Sequence, residues 1–402
     1  MKADAERKYF ICLEDKANII GTLFVSFVSG KEVHSFEFNP SFLSSDNINK
    51  FFDPDLLLTL GRQYPSSKRE TFSFLEDSLP DRWGRKLILS DAHKRDIDKL
   101  YVIDYLTGIS DIYRTGAIRI MDENGVYLST RNTNIPPIMY INKLEQAAIK
   151  VDDELSDEEL DLLFSPGSSL GGARPKCNVF DNDKTVYIAK FPNKNDDFDV
   201  GAMEMVVHDL AKLCDIKVPE AKLMKLSKYG STFLSKRFDR ELDKRIHYAS
   251  ALCLLGAIKG DDIYSYLDIA SLIVSRCQNV NANLKELYKR IVFNIAINNT
   301  DDHLRNHGFI YNKNGWDLSP AFDLTISVHD KSHVLKIDES HTFLKLKDVI
   351  KLYKQFRLTE VEAQEIVNKT VAVIKDNFDK LSHKYSLKNN EIEILKKHLV
   401  LE

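Results

Sequence analysis

The chain has 402 residues, of which 43% are hydrophobic and 29% are charged, and its formal net charge is −4. That length exceeds what one hydrophobic core supports, so we expect two or three domains. A slightly acidic chain has no general attraction for polyanions, which argues against nucleic-acid binding through overall charge.

Cysteine spacing and hydropathy restrict the class of protein further. The five cysteines are odd in number and widely spaced, and no Cys-x-x-Cys pair occurs, which argues against a disulfide framework or a structural zinc site. The charged N-terminus has no apolar segment behind it, and no stretch approaches the roughly 20 apolar residues of a membrane span. We therefore expect a cytoplasmic protein with no membrane interaction.

Residues 1–130 have the pattern of a mixed α/β segment. Strands are predicted at 9–13, 19–28 and 33–38, where β-branched and aromatic residues dominate. Asp53-Pro54 predicts a short helix through residue 60, because proline is tolerated in the first turn of a helix. Asp122-Glu123-Asn124-Gly125 predicts a hairpin turn, because Asn-Gly readily adopts positive φ.

The rest of the chain changes from mixed to helical patterns. A hairpin is predicted around 181–183, a helix over 199–214 and a strand over 231–238. Beyond residue 247 the apolar spacing predicts helices, one of which leads into Asn298, while Thr359-x-x-Glu362 is a capping box that opens another. These patterns predict three domains, at 1–130, 131–245 and 246–402.

The most informative pattern lies in Asn298-Asn-Thr-Asp-Asp-His-Leu-Arg-Asn306. Asp301 precedes Asn306 by five residues, and Asp323 follows an aromatic residue further on. Kinases arrange a hydroxyl-orienting base and two Mg²⁺ ligands in this order, so we predict Asp301 as the catalytic residue and Asn306 and Asp323 as metal ligands. Two alternatives stay open: a polar loop with Asx turns, and a transition-metal site built on His303 and His307.

Three features upstream follow the order of parts in a kinase. Residues 168–176 form a small-residue loop whose backbone N–H groups could approach an anion. Lys190 is the only charge in an apolar strand, and Glu204 lies on the next helix, where a kinase places the carboxylate that orients such a lysine. Each feature alone has an ordinary explanation: a flexible loop, a lysine facing water, or an exposed glutamate.

Together these motifs resemble the HipA-type toxin kinases of bacterial toxin–antitoxin modules. Ser169-Leu-Gly-Gly-Ala-Arg-Pro-Lys176 is similar to the family's Ser-x-x-Gly-Ala-x-x-Lys phosphate loop, and Lys236-Arg-Phe-Asp-Arg240 resembles its Glu-Arg-Phe-Asp-Arg hinge. The stretches around Asp301 and Asp323 resemble its catalytic and metal motifs. Leu79-Pro-Asp-Arg-Trp-Gly-Arg85 looks like the family's N-terminal motif, Leu-Pro-Asp-x-Trp-Gly-Arg.

The resemblance implies an α+β, bilobal protein-kinase-like fold of the phosphatidylinositol-kinase-like type. It implies a mixed α/β N-terminal lobe with an extra N-terminal subdomain, and an all-helical C-terminal lobe. It further implies ATP and Mg²⁺ as cofactors and serine/threonine phosphorylation of a translation-related protein, such as an aminoacyl-tRNA synthetase. The implied partner is a HipB-like DNA-binding antitoxin, so that contact with DNA is mainly indirect.

The resemblance also assigns roles to individual residues. Ser169 is expected to be an autophosphorylation site, where a group of about −1.5 to −2 charge would compete with nucleotide phosphates. The residues implied in nucleotide binding are Ser169, Leu170, Gly171, Gly172, Ala173, Lys176, Lys190, Glu204, Lys236, Phe238 and His303.

The chain departs from the family pattern in three places. The Arg174-Pro175 pair is expected to stiffen the phosphate loop relative to other members. Lys236 replaces the hinge glutamate, and Asp302 stands where many relatives have glycine, so that it either adds charge near the metals or faces water. His303 is expected to brace the Asp301 loop. The alternative hypotheses are a catalytically weak kinase-fold co-repressor acting through the antitoxin, and a metal-dependent hydrolase built on Asp301, His303 and His307.

Overall fold

The computed structural model of this chain describes residues 6–128, 135–150, 156, 158–160, 162–163, 174–242, 244–258, 263–312, 315–330, 332–337 and 345–402. The chain divides into two compact units. The first unit comprises Met1–Ala189 and Asp239–Ile258, and the second comprises Lys190–Phe238 and Lys259–Glu402. The predicted division into three domains, with boundaries at residues 130 and 245, stays a prediction.

The strands of the described residues occur in both units. In chain order they are β1 (Arg7–Leu13), β2 (Ile19–Val28), β3 (Lys31–Phe38), β4 (Ile118–Met121), β5 (Lys176–Phe180), β6 (Val186–Lys190), β7 (Ala221–Lys225), β8 (Ser231–Lys236), β9 (Arg240–Glu241), β10 (Lys244–Arg245), β11 (Tyr248–Ser250), β12 (Gly308–Asn312) and β13 (Gly315–Leu318).

Among the described residues, the longest helix has 13 residues in the first unit and 25 residues in the second. In chain order they are α1 (Pro40–Leu43), α2 (Ser73–Glu76), α3 (Arg82–Lys94), α4 (Val102–Thr107), α5 (Ile141–Ile149), α6 (Val200–Leu213), α7 (Ala251–Leu254), α8 (Tyr266–Arg276), α9 (Val280–Ala296), α10 (Leu346–Ile350), α11 (Glu360–Lys384) and α12 (Asn389–Lys396).

An antiparallel sheet of order β3-β2-β1-β4 forms the centre of the first unit. Its buried face joins a cluster of phenylalanine rings, in which Phe36 meets Phe38 edge to face with centroids 5.1 Å apart. Gly21 permits this packing, because a Cβ there would lie 2.3 Å from the Glu37 carbonyl oxygen and 2.5 Å from the Phe36 ring. Aromatic packing of this kind contributes beyond the area that it buries.

The segment Asp239–Ile258 belongs to the first unit through side-chain contacts. Asp239 accepts a hydrogen bond from Gly116 N at 2.7 Å, and Arg245 pairs with Asp111 at 3.0 Å. Asp77 accepts two hydrogen bonds from Ser250, at 2.6 Å from its backbone nitrogen and 2.7 Å from its hydroxyl. These polar contacts are largely buried and fix the segment in place.

Helix α9 is the centre of the second unit. Most of its side chains are buried, and it packs against α8, α10 and α11. The predicted capping box opens α11: Thr359 Oγ1 accepts from Glu362 N at 3.2 Å, and Glu362 accepts from Thr359 N at 2.9 Å. The expectation that residues 246–402 are all helical is wrong, since β11 lies in this range and β12 and β13 form an antiparallel hairpin there.

All five cysteines lie within the described residues and are buried and free. Among the residues that the structure describes, no helix is both long and apolar enough to span a membrane.

Candidate functional site

Lys190 is the central cation of the candidate site in the second unit. Its ammonium pairs with two carboxylates, those of Glu204 on α6 and Asp323, and its side chain is only 14% exposed. Burial alone would lower the pKa of Lys190, but Asp323 and then Glu204 outweigh it and raise that pKa above its ordinary value. The lysine is therefore a fixed positive charge, which is what a phosphate-binding lysine requires.

Helix α6 delivers Glu204 because its N-terminus is fixed to β8. Asp199 caps the helix by accepting from Ala202 N at 3.1 Å, and it also accepts from the backbone nitrogen and the hydroxyl of Ser231, both at 2.8 Å. Gly201 allows close approach, since a Cβ there would lie 2.0 Å from the Ser231 carbonyl oxygen. The first turn of α6 is thus pinned to the strand, and Glu204 follows one turn later.

Asp323 is presented by a constrained segment after β13. Arg290, which is buried on α9, donates to the Ser319 carbonyl oxygen at 2.7 Å, and Ala321 N donates to the Lys217 carbonyl oxygen at 2.7 Å. Asp323 itself has a left-handed backbone with φ of 56°. A non-glycine residue adopts that conformation at a cost of roughly 1–3 kcal/mol, and such residues concentrate at functional sites.

The two predicted hinge residues, Phe238 and Lys236, make different kinds of contact. Phe238 packs against Phe322, the residue before Asp323, with ring centroids 5.6 Å apart. Lys236 instead extends its side chain to Glu220 at 3.4 Å and is 38% exposed, while its backbone nitrogen donates to the Glu220 carbonyl oxygen at 2.8 Å. Replacement of a hinge glutamate by Lys236 therefore changes a surface side chain and leaves the backbone paired.

The loop with Asp301 begins where α9 ends. Asn298 has φ of 55°, and its side-chain nitrogen donates to the Ser327 carbonyl oxygen at 2.8 Å. The Ser327 backbone N–H donates to the Asn298 carbonyl oxygen at 3.0 Å, and the Ser327 hydroxyl accepts from Thr300 N at 3.1 Å. Three hydrogen bonds with one serine therefore fix the direction in which the chain leaves the helix.

Asp302 is buried, so the expectation that it faces water was wrong. Its Oδ2 accepts from Tyr266 Oη at 2.6 Å, Asn294 Nδ2 at 2.8 Å and His307 Nε2 at 2.9 Å. Burial raises the pKa of Asp302, but His307 and the hydrogen bonds outweigh it, so the pKa is lowered and the group stays a carboxylate. Asp302 thus anchors the loop from a buried position. Its charge also raises the pKa of Asp301, and the expectation that it adds charge near the metals stays a prediction.

Asp301, unlike the adjacent Asp302, is exposed to solvent. Desolvation by the surrounding protein raises the pKa of Asp301, His303 opposes this, and the Asp323 carboxylate raises it further. Asn306 follows on a short 3₁₀ turn and donates from its side chain to the Asp301 carbonyl oxygen at 3.4 Å. The second unit therefore brings Lys190, Glu204 and Asp323 into direct contact and holds Asp301 within electrostatic reach of Asp323.

The metal-binding alternatives can be weighed by donor chemistry. Asn306 and Asp323 offer an amide oxygen and a carboxylate, hard donors that suit Mg²⁺ together with substrate phosphates. In the described part of the chain, no group of three or more His, Cys, Asp or Glu residues is placed to hold a metal ion. His307 is engaged with Asp302. The transition-metal hydrolase hypothesis has no support from this geometry.

Only part of the predicted phosphate loop lies within the described residues. Ser169, Leu170, Gly171, Gly172 and Ala173 lie outside the described residues. Lys176 is described, in the first unit, where its ammonium pairs with Asp81 at 3.1 Å and its side chain is 3% exposed. The sequence carries no local signal for that pair, because the two residues are 95 positions apart.

Comparisons with known proteins indicate the family to which this chain is similar. A model of the HipA-like C-terminal domain matches residues 168–378, just over half of the chain. A putative kinase of Haemophilus influenzae is 26% identical over 222 residues, which are 50% of this chain and 61% of that protein. The putative kinase Y4dM of Sinorhizobium fredii is 27% identical over 187 residues, which are 40% of this chain and 45% of that protein. The chain thus covers less than two thirds of either relative.

A solved structure matches over nearly the whole chain. It is HipA of Shewanella oneidensis MR-1, in a complex with HipB and its operator DNA. The TM-score is 0.67 at 18% identity, covering 97% of this chain and 94% of that one. Identity at this level speaks for the fold alone, and it confirms the predicted α+β, protein-kinase-like fold.

Proposed function

Because this chain belongs to the HipA-like family, we propose that it is an ATP- and Mg²⁺-dependent serine/threonine protein kinase and the toxin of a toxin–antitoxin module. The observation that carries the proposal is the pairing of Lys190 with both Glu204 and Asp323. A phosphate-binding lysine needs one carboxylate to orient it, and a metal-binding aspartate must lie beside the same phosphates. The two curated relatives that carry the name putative kinase support this class of chemistry.

Each of these residues has its own role in the proposed phosphoryl transfer. Lys190, oriented by Glu204, binds nucleotide phosphates and offsets their charge. Asp301 orients the hydroxyl of a serine or threonine and accepts its proton as the hydroxyl oxygen bonds to the γ-phosphorus. The bond between that phosphorus and the bridging oxygen breaks, and ADP leaves.

Asn306 and Asp323 are the residues that would hold Mg²⁺. When bound, the ion neutralises negative charge on the phosphate oxygens and on the leaving group. The lysine and the metal would then share Asp323, since this carboxylate pairs with Lys190.

The substrate and the regulation follow from the family resemblance. We infer a translation-related protein, such as an aminoacyl-tRNA synthetase, as the substrate, and Ser169 as an autophosphorylation site. By the same resemblance, we infer a role in nucleotide binding for Lys176, Lys236, Phe238, His303 and the residues from Ser169 to Ala173.

The proposed partner is a HipB-like DNA-binding antitoxin. The similar HipA of Shewanella oneidensis is found with HipB and operator DNA, which supports the same assembly here. The net charge of −4 fits a toxin that reaches DNA mainly through its antitoxin. Such an assembly would act in the cytoplasm.

Radiolabelled ATP tests this function directly. We expect the purified chain with Mg²⁺ to transfer label from γ-labelled ATP to protein, to transfer none from α-labelled ATP, and to stop when the metal is chelated. A chain that binds ATP but transfers no label, either to itself or to proteins of a cell lysate, would instead support the weakly catalytic co-repressor.

A further inference from the structure

The N-terminal motif Leu79–Arg85 has no role in the function proposed above, yet the structure connects it to one predicted nucleotide-binding residue. Asp81 pairs through Oδ2 with the Lys176 ammonium at 3.1 Å. Two residues later, Trp83 donates its indole N–H to the Lys176 carbonyl oxygen at 3.0 Å. Both the side chain and the backbone of Lys176 are therefore held by the same motif.

Burial makes these contacts restrictive. The exposed fractions are 3% for the Lys176 side chain, 8% for that of Asp81 and 3% for Trp83. A buried ammonium and a buried carboxylate attract each other more strongly than an exposed pair does, because water screens them less. Lys176 is consequently fixed in orientation, with little of the rotational freedom that a surface lysine has.

The two carboxylate oxygens of Asp81 contact different partners. Oδ1 caps α3 by accepting from Gly84 N at 2.6 Å, while Oδ2 carries the contact with Lys176. The cap needs only an acceptor, so asparagine can replace aspartate there with little loss. The contact with Lys176 needs the negative charge. Asp81→Asn can therefore remove the ion pair with Lys176 and keep the helix cap.

We propose that Asp81 is a positioning residue that acts on ATP binding through Lys176. It fixes the ammonium of this lysine through an ion pair, as Glu204 fixes that of Lys190. Trp83 supports it by fixing the backbone at the start of β5. This inference rests on the proposed function, because it takes Lys176 as a phosphate-binding residue.

Binding of two ligands to the full-length chain tests the inference, with calorimetric titration of Mg-ATP and of adenosine, which lacks phosphates. We expect Asp81→Asn to weaken ATP binding about tenfold, the loss that one charge-assisted hydrogen bond would cause, and to leave adenosine binding unchanged. In a Lys176→Met background, Asp81→Asn should cause no further loss, because its effect passes through that lysine.

Asp111→Asn is the matched control. Asp111 lies in the same unit, has a similarly buried side chain and pairs with Arg119 and Arg245, neither of which is a predicted nucleotide residue. We expect this variant to lose stability and to keep wild-type affinity for both ligands.

The outcomes separate the two proposals. A wild-type chain that binds no Mg-ATP overturns the proposed function itself. A wild type that binds ATP while Asp81→Asn binds it equally well, or loses ATP and adenosine equally, overturns only the positioning role. If Asp81→Asn does not fold, Trp83→Phe decides: it removes the indole hydrogen bond to Lys176 and should weaken ATP binding severalfold, and unchanged ATP affinity contradicts the role.

Discussion

Tyr266 donates its phenolic hydrogen to Asp302 Oδ2 at 2.6 Å, and both side chains are almost completely buried. Burial raises the pKa of Tyr266 well above its ordinary value, and the adjacent carboxylate adds to this, so the phenol remains a donor. Because Asp302 directly follows Asp301 in the chain, this bond helps to determine where the proposed catalytic carboxylate lies.

Tyr266→Phe should therefore slow phosphate transfer and destabilise the fold. The buried carboxylate loses its shortest hydrogen bond, which should lower the free energy of unfolding by about 1–3 kcal/mol. We expect a severalfold fall in kcat with a smaller change in KM for ATP, because the loop positions the hydroxyl-orienting group rather than the nucleotide. Initial rates and urea denaturation measure the two effects.

Tyr288→Phe provides the control. Tyr288 is also buried in the second unit, and its hydroxyl donates to the Val349 carbonyl oxygen at 3.2 Å, away from the loop. This variant should lose stability and keep its kcat. An equal fall of kcat in both variants would argue against a specific link between Tyr266 and the Asp301 loop.

Glu204→Gln tests the orientation of Lys190. Without the Glu204 charge, the ammonium is attracted by Asp323 alone, so we expect KM for ATP to rise about tenfold. Asp209→Asn is a suitable comparison, because Asp209 lies on the same helix but bonds to Tyr385 and Lys384. Steady-state kinetics with varied ATP would show wild-type KM in Asp209→Asn; an unchanged KM in Glu204→Gln would contradict the role of this carboxylate.

Parts of this architecture follow from local sequence. The Thr359 capping box is confirmed because its two partners are three residues apart and the interaction is internal to one helix turn. The structure also brings Lys190 and Glu204 together, as the order of strand and helix suggested. The β12–β13 hairpin was missed although Asn314-Gly315 is a turn signal, and the Tyr311 and Trp316 rings, 5.5 Å apart, form a cross-strand pair.

Other parts depend on distant contacts that carry no local signal. The helix predicted from Asp53 is wrong, because the Asp53 carboxylate accepts from Asp55 N at 2.8 Å and from Phe74 N at 2.7 Å, which forms a turn tied to another segment. The burial of Asp302 depends on Tyr266, which is 36 residues earlier in the chain. Spacing along the sequence cannot reveal such partners, so polarity alone suggested a solvent-facing residue.

The backbone at Asn298 gives a stability prediction. Alanine there should be less stable than glycine by about 1 kcal/mol, because φ of 55° is strained for a side chain with no local hydrogen bond and free for glycine. Both variants lose the side-chain bond to Ser327 equally, so their difference isolates the backbone term. Urea denaturation measures it; an alanine variant as stable as the glycine variant would show that the loop relaxes.

His247 gives a prediction of pH dependence in the first unit. Burial lowers the pKa of His247 to about 3 from an ordinary 6.5, so the folded chain keeps it neutral while the unfolded chain protonates it. Its contribution to stability is thus present above pH 6.5 and is lost as the pH falls toward 3, by up to about 1.4 kcal/mol per pH unit. His247→Gln should flatten the curve of unfolding free energy against pH; parallel curves for the two proteins would contradict this.

The measurement that tests the central claim most directly is phosphosite mapping of wild type and Asp301→Gln after incubation with Mg-ATP, with ATP binding measured in parallel. The substitution keeps a polar side chain, one methylene longer, and removes the carboxylate that accepts the hydroxyl proton. We predict that the wild type acquires phosphate on Ser169 or on a protein of the lysate, and that Asp301→Gln binds ATP but acquires and transfers none. Equal phosphorylation by both proteins would contradict Asp301 as the catalytic residue.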